Sequence, residues 1–186
     1  MKSWLAILSL LWTLPVLAIE VAGVNVADKA RVGASELVLN GAGIRTRAIF
    51  KVYVGALYLT EKKAAAAEAL AQKGAKRVAL TMLRELSAQQ LNEAFDNGIQ
   101  ANHSAAEVEA MKPRIAELLS LLTDAKKGDV IVLDFLPESG TAVSVNGAAK
   151  GKPIPGEDFY RALLRIWLGD KPVDGDLKKG MLGQAL

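Results

Sequence analysis

Arginine and tyrosine are the side chains best placed to do chemistry in this chain. Of its 186 residues none is cysteine and one, His103, is histidine. Thiolate metal sites, a cysteine nucleophile, a disulfide framework, an acylated-cysteine anchor and a poly-histidine metal cage are therefore excluded. A Ser-His-Asp triad would depend wholly on His103, which falls in a connection between two helical patterns, so a solvent-exposed loop histidine is expected there. Asn102-His103-Ser104 also spells a glycosylation sequon, of consequence only in a eukaryotic host. Gly41-Ala42-Gly43 lacks the third glycine and the βαβ context of a dinucleotide fingerprint. No P-loop or paired-carboxylate signature is present. Arg45 and Arg47, by contrast, open the strongest strand pattern of the chain, on the same face as Tyr53. Two guanidinium groups and a phenol on one face can hold a carboxylate or phenolate bidentately. They suit equally a solvated sheet face that keeps an edge from aggregating. Tyr160 falls off the apolar stripe of a late helix, which fits a residue facing a cleft or an ordinary surface tyrosine.

The elements that must position these groups come from a chain of one-domain size. It is 51% hydrophobic and 23% charged, a composition that folds around a core. Its 23 Lys and Arg face 20 Asp and Glu, a net +3, and the signs alternate along the chain. That argues against the clustered basic footprint of a nucleic-acid binder. Residues 1–18 carry Lys2 as their only charge, an apolar run from Trp4 to Val16, Pro15, and, in Val16-Leu17-Ala18, small residues at the positions read by signal peptidase. This is the pattern of a secretory signal peptide, leaving a domain over 19–186 and making a bacterial periplasm the simplest compartment. The alternative is an uncleaved membrane anchor, because the uncharged run between Lys2 and Glu20 reaches the short limit of a bilayer span.

Past the leader, Glu20–Val26 alternates weakly and suits an edge strand. Glu36–Leu39 reads as a short strand running into a turn or bulge at Asn40-Gly41-Ala42-Gly43. Ala48–Leu59 is the clearest strand: Ala48, Phe50, Val52, Val54, Ala56 and Tyr58 form one apolar face, and Ile49, Lys51 and Tyr53 continue the more polar face of Arg45 and Arg47. A helix is expected over Lys62–Lys73, closed by Gly74, and a strand over Lys76–Met82. Ser87 with Gln90, and Ser104 with Glu107, are capping boxes that open helices over Ala88–Gln100 and Ala105–Leu122. Pro113 should kink or split the second. Asp129–Phe135 and Thr141–Val145 read as paired strands, with a further hairpin turn at Asn146-Gly147. Glu157–Leu168 places Phe159, Ala162, Leu163, Ile166 and Trp167 on one helical stripe, capped by Gly169, and Asp174–Leu182 is a short closing helix. Strands joined by hairpins and helices grouped in runs predict an α+β domain, an antiparallel sheet with helices on one face.

The stretch Leu37–Arg45 (LVLNGAGIR), followed by Phe50–Leu59 (FKVYVGALYL), resembles the chalcone isomerase superfamily. Ile166–Gly169 through Leu177–Gly183 resembles the closing segment of its bacterial secreted, chalcone-isomerase-like branch. The resemblance covers nearly all of the chain after the leader. It implies an open-faced β-sandwich, a large antiparallel sheet layered with helices, with a cleft between them. It also implies one of two activities. Plant enzymes of the superfamily cyclise a chalcone to a flavanone without metal or cofactor, an arginine stabilising the developing negative charge. Non-catalytic relatives bind fatty acids, an arginine and a tyrosine gripping the carboxylate.

Residue by residue, the arginine of the Gly-x-Gly-x-Arg motif is matched by Arg45, and an active-site threonine of the enzymes by Tyr53, as in the fatty-acid-binding relatives. The enzymes' catalytic tyrosine and asparagine fall near Leu91 and Gly98, which cannot replace them, although Asn97 is adjacent. Their specificity threonine falls near Tyr160. The resemblance thus implies a periplasmic protein that binds a small amphipathic anion, fatty-acid-like or phenolic, through Arg45 and Tyr53, with Arg47, Asn97 and Tyr160 as further contacts. No cofactor, metal or nucleic acid is expected, and membrane contact only through an uncleaved leader. The alternatives are a cofactor-independent isomerase or intramolecular lyase with Arg45 as electrostatic catalyst, and an envelope-interaction module with no ligand.

Overall fold

The structure, a computed structural model, describes residues 18–185. The expected leader, apart from Ala18, lies outside the described residues. A hairpin comes first, β1 (Ala18–Val21) and β2 (Val24–Ala27), turning through Ala22 and Gly23 at positive φ. The single edge strand expected over Glu20–Val26 is therefore two. A seven-stranded antiparallel sheet follows, built from β3 (Lys29–Val32), β4 (Ser35–Arg47), β5 (Phe50–Leu59), β6 (Lys76–Met82), β7 (Val130–Leu136), β8 (Gly140–Val145) and β9 (Ala148–Ile154). Its strands are hydrogen-bonded in sequence order. The helices are α1 (Ala66–Ala71), α2 (Ala88–Ala101), α3 (Ala105–Leu121), α4 (Glu157–Leu168) and α5 (Gly175–Met181). The α+β architecture of antiparallel sheet and layered helices is thus observed.

Local signals explain much of this. Both capping boxes form, with Ser87 accepting from the Gln90 amide and Ser104 from the Glu107 amide. Asn146 and Gly147 turn β8 into β9 at φ of 52° and 78°, the left-handed pair that a tight hairpin needs. Helix α3 continues unbroken through Pro113, contrary to a split. Pro113 and Glu109, the residue whose carbonyl loses its partner, are both exposed, so water can satisfy that carbonyl. The helix expected over Lys62–Lys73 shrinks to α1.

Helix α4 buries far more than one stripe. Tyr160 and Leu164 are as inaccessible as Phe159 and Trp167, because α4 packs against β8, α1, α2 and α5. The main core lies between the helices and one sheet face, where Leu57, Leu80 and Leu133 meet Phe95, Leu118 and Trp167. A smaller core, with Leu37, Val54, Ala56 and Tyr58, fills the opposite face beneath the β1–β2 hairpin. Both faces of β5 are thus buried from Val52 onward, not one apolar and one polar.

The largest departure from the expected elements is β4. The run Asn40–Gly43 is strand throughout, with a bulge between Leu39 and Gly41. Its glycines serve close packing. A Cβ on Gly41 would sit 2.2 Å from the Gly180 carbonyl oxygen and 2.6 Å from the Gly183 nitrogen, and one on Gly43 3.2 Å from the Leu177 Cα. Helix α5 therefore lies directly on the β4 backbone. Asn40 fastens the join: buried, it donates to the Met181 and Lys63 carbonyls and accepts from the Lys63 amide. Gly41→Ala is expected to cost about 1–3 kcal/mol by overpacking backbone that cannot yield. Urea denaturation checks this; unchanged stability would show that α5 is free to shift.

Candidate functional site

Strand β4 carries Arg45 and Arg47 to the sheet end at which β5 begins, and the chain reverses through Ala48 and Ile49. The arginines therefore belong to β4, not to the strand that holds Tyr53. Register still joins them, because Arg45 lies opposite Tyr53 in the β4–β5 ladder. A second irregularity falls immediately after, where Thr46 pairs with Lys51 and Val52 is left over. Val52 and Tyr53 consequently both enter the main core.

Tyr53 is 4% exposed. Its hydroxyl accepts from the Trp167 indole N–H at 2.9 Å, and the Arg45 guanidinium carbon lies 5.5 Å from its ring centroid. Burial pushes the Tyr53 phenol above its ordinary value, against the smaller opposing effects of the Arg45 charge and the Trp167 N–H. The phenol is thus neutral at physiological pH. It is a hydrogen-bonding group and not a base.

Two recesses adjoin Arg45 and share Arg45, Arg47, Gln90 and Ala94 in their walls. The first, about 290 Å³, is completed by Ala48, Phe50, Val52, Arg84 and Leu86. Three arginines and no carboxylate line it. None of the three forms an ion pair among the described residues. Arg84 stacks on Phe50, its guanidinium carbon 5.0 Å from the ring centroid. The second recess, about 520 Å³, adds Glu93, Asn97 and Lys171 together with Gly98, Pro172 and Val173. The groove runs between α2 and the β4–β5 turn, its first recess cationic with a partly apolar wall and its second more polar, with Glu93 and Lys171 of opposite sign. The first recess can accommodate an anionic group attached to an apolar body.

Arg45, Arg47 and Asn97 therefore meet at one groove, with Tyr53 beneath Arg45. Tyr160 does not join them. It is 2% exposed, packs on Phe135 at a ring separation of 5.3 Å, and its hydroxyl donates to the Leu133 carbonyl at 2.9 Å. It is a core tyrosine, neither cleft-facing nor on the surface. Leu91 and Gly98 are buried as well, and a Cβ on Gly98 would meet the Ile166 Cγ2 at 2.8 Å, so α2 and α4 touch too closely there for a larger side chain. The sequence pattern passed over Arg84 and Phe50 as a site pair. Register is the signal that finds Arg84, since β6 places Met82 opposite Tyr53 and so brings the next residues to the β4–β5 turn.

His103 is partly buried rather than fully exposed, with Nδ1 2.8 Å from the Ile99 carbonyl oxygen. It borders another recess, about 260 Å³, between α3 and α4. Two of the cations there are already paired. Arg114 meets the Asp158 carboxylate through two hydrogen bonds of 2.9 and 2.8 Å, and Arg161 meets Glu157. No cluster of His, Asp and Glu able to hold a metal ion occurs among the described residues.

Groove and fold together define a cleft at one end of a helix-layered antiparallel sheet. The chalcone isomerase-like family matches residues 18–183, and the chain belongs to that family. Among solved structures it is similar to a fatty-acid binding protein of Arabidopsis thaliana, AtFAP1, with a TM-score of 0.68 and 15% sequence identity over 89% of this chain and 96% of that one. At that identity the likeness is one of fold. No curated protein matches the sequence.

The Arg114–Asp158 pair gives a pH test. Hydrogen bonding to Arg114 holds the Asp158 carboxyl below its ordinary range. A carboxylate with a lowered folded-state value adds stability that is fully present above the unfolded value of about 3.9 and disappears as pH falls through the folded one. Asp158→Asn should therefore lower the melting temperature at neutral pH, and the gap to wild type should narrow as the pH falls below about 3.9. Thermal scans across that range decide it; a constant gap would mean that charge plays no part.

Proposed function

We propose that this protein binds a small amphipathic anion, a fatty-acid-like or phenolic carboxylate, in the groove beside Arg45 and does so without transforming it. The observation that carries this is the recess formed by Arg45, Arg47 and Arg84, cationic and free of carboxylates, with Phe50, Val52 and Leu86 as its apolar wall. A guanidinium can take a carboxylate through two parallel hydrogen bonds, while each methylene of the ligand buried against the wall adds about 0.8 kcal/mol. The recess is at the small end for ligand pockets, which favours a medium-length acyl chain or a single aromatic ring over a long fatty acid. The relative that binds fatty acids supports the choice of ligand by analogy of fold. Absence of catalysis is supported by the neutral, buried Tyr53 and by Leu91 and Gly98, apolar where the superfamily's enzymes carry a tyrosine and an asparagine.

The protein acts, on this proposal, in a bacterial periplasm, as a member of the secreted branch of its family. Support comes from the leader pattern of residues 1–18.

Dodecanoate is expected to bind, and Arg45→Ala to weaken it by about tenfold or more, the worth of a charged hydrogen bond. Calorimetry with dodecanoate and dodecanol measures this; equal affinity for acid and alcohol, or an unaffected variant, would overturn the proposal. Arg47→Lys keeps the charge and should retain most of the binding. Separately, protein recovered from a periplasmic extract of its bacterial host should begin at Ile19 by N-terminal sequencing. An intact N-terminus in the membrane pellet would replace the cleaved leader with an anchor.

A further inference from the structure

Two of the most exposed large apolar side chains among the described residues sit side by side at the turn that closes β4 and β5. Ile49 is 85% exposed and Phe50 54%. The turn before them is unfavourable for its own residues: Ala48 adopts φ of 54°, where asparagine or glycine is the ordinary choice. An apolar tip on a positive-φ alanine gains nothing from the fold itself, since Ile49 packs on no core. Cations surround it. Arg47 and Lys51 flank the turn, and Arg84 lies over Phe50. The neighbouring loop is bound to this end of the sheet by the Gly128 amide on the Met82 carbonyl and brings Lys126 and Lys127. The acids at this end are Glu85, Asp124, Asp129 and Asp174, the last three turned to backbone amides of Ala88, Lys126 and Thr46 while keeping their charge.

The geometry points to the β4–β5 turn as a membrane-docking tip, Ile49 entering the interface of an anionic lipid bilayer while Arg47, Lys51 and Arg84 meet the headgroups. Apolar insertion with a basic collar is the chemistry by which peripheral proteins select anionic surfaces. Charge complementarity selects the bilayer over an apolar protein groove, which would not require a ring of cations. Ala48 and Phe50 also line the first recess, so docking sets the groove mouth against the lipid. Lipid contact through the tip stands whatever the groove holds. Its use for passing an acyl anion between bilayer and groove rests on the proposed ligand. Membrane contact is thereby assigned to the folded domain, beyond the leader to which the sequence pattern confined it.

The full chain contains no cysteine, so Ile49→Cys accepts one environment-sensitive fluorophore at the tip, and Ser139→Cys accepts the same probe at the opposite end of the sheet, in the β7–β8 turn. With phosphatidylcholine vesicles containing phosphatidylglycerol, the probe at position 49 should shift to the blue and brighten while that at 139 does not. Lys51→Ala in the labelled protein should weaken the response about fivefold. No response at position 49, or an equal one with pure phosphatidylcholine, overturns the proposal. So does a probe that ignores vesicles but responds to a soluble protein fraction, which assigns the tip to a protein partner. Dodecanoate binding in the absence of vesicles is read separately, so loss of docking and loss of ligand binding are distinct results.

Discussion

The hydrogen bond from the Trp167 indole to the Tyr53 hydroxyl governs where this protein's cations can sit. It joins helix α4 to the sheet at a point that water does not reach. Trp167 is itself held edge-on by Phe95 of α2, at a centroid distance of 5.9 Å and an interplanar angle of 84°. Sheet, α4 and α2 therefore share one contact column, and Arg45 rests on the top of it through the Tyr53 ring. A buried tyrosine or tryptophan left without its partner would cost about 1–3 kcal/mol, so the column resists rearrangement. The groove walls stand at a fixed separation because this column does.

Asp174 extends the same constraint to the far end of the chain. One of its carboxylate oxygens caps α5 by accepting from the Asp176 and Leu177 amides, and the other accepts from the Thr46 amide. Thr46 follows Arg45 at the point where the β4–β5 ladder slips. The amide freed by that irregularity is thus satisfied by a helix cap more than a hundred residues away, and α5 rests on glycines of the same strand. Backbone on both sides of Arg45 is set by tertiary contacts, which suits a residue whose guanidinium must present a fixed pair of donors.

What the sequence revealed followed the range of each interaction. The capping boxes of α2 and α3, the Asn146-Gly147 turn and the alternation of β6 are short-range, and they can be read from a few neighbouring residues. The motif around Arg45 pointed to the family and to the sheet with its helix layer. Gly41 and Gly43 looked like a turn because glycine is the usual turn residue; the reason for them is the α5 backbone, which no local window contains. Tyr160 looked peripheral because a single apolar stripe was assigned to α4, whereas four neighbours enclose that helix. Arg84 went unremarked because only the β5–β6 register brings it beside Phe50.

The difference between holding an anion and stabilising a transition state is one of dielectric. A donor aimed at developing charge is effective where water is excluded and the donor is pre-oriented. In this groove Arg47, Arg84 and Asn97 are exposed, and Arg45 is only half-buried. Solvent screens each of them, so their combined field is spread over an open mouth, which suits the proposed holding of a carboxylate. Among the described residues, the deeply buried polar group at the site is the Tyr53 hydroxyl, neutral and already engaged with Trp167. Helix α2 turns Gln90, Glu93 and Asn97 to the second recess, while Gly98 lies too close to Ile166 to carry a longer side chain. Close packing of α2 on α4 therefore does two things at once: it completes the core, and it makes the groove floor at Gly98 a wall.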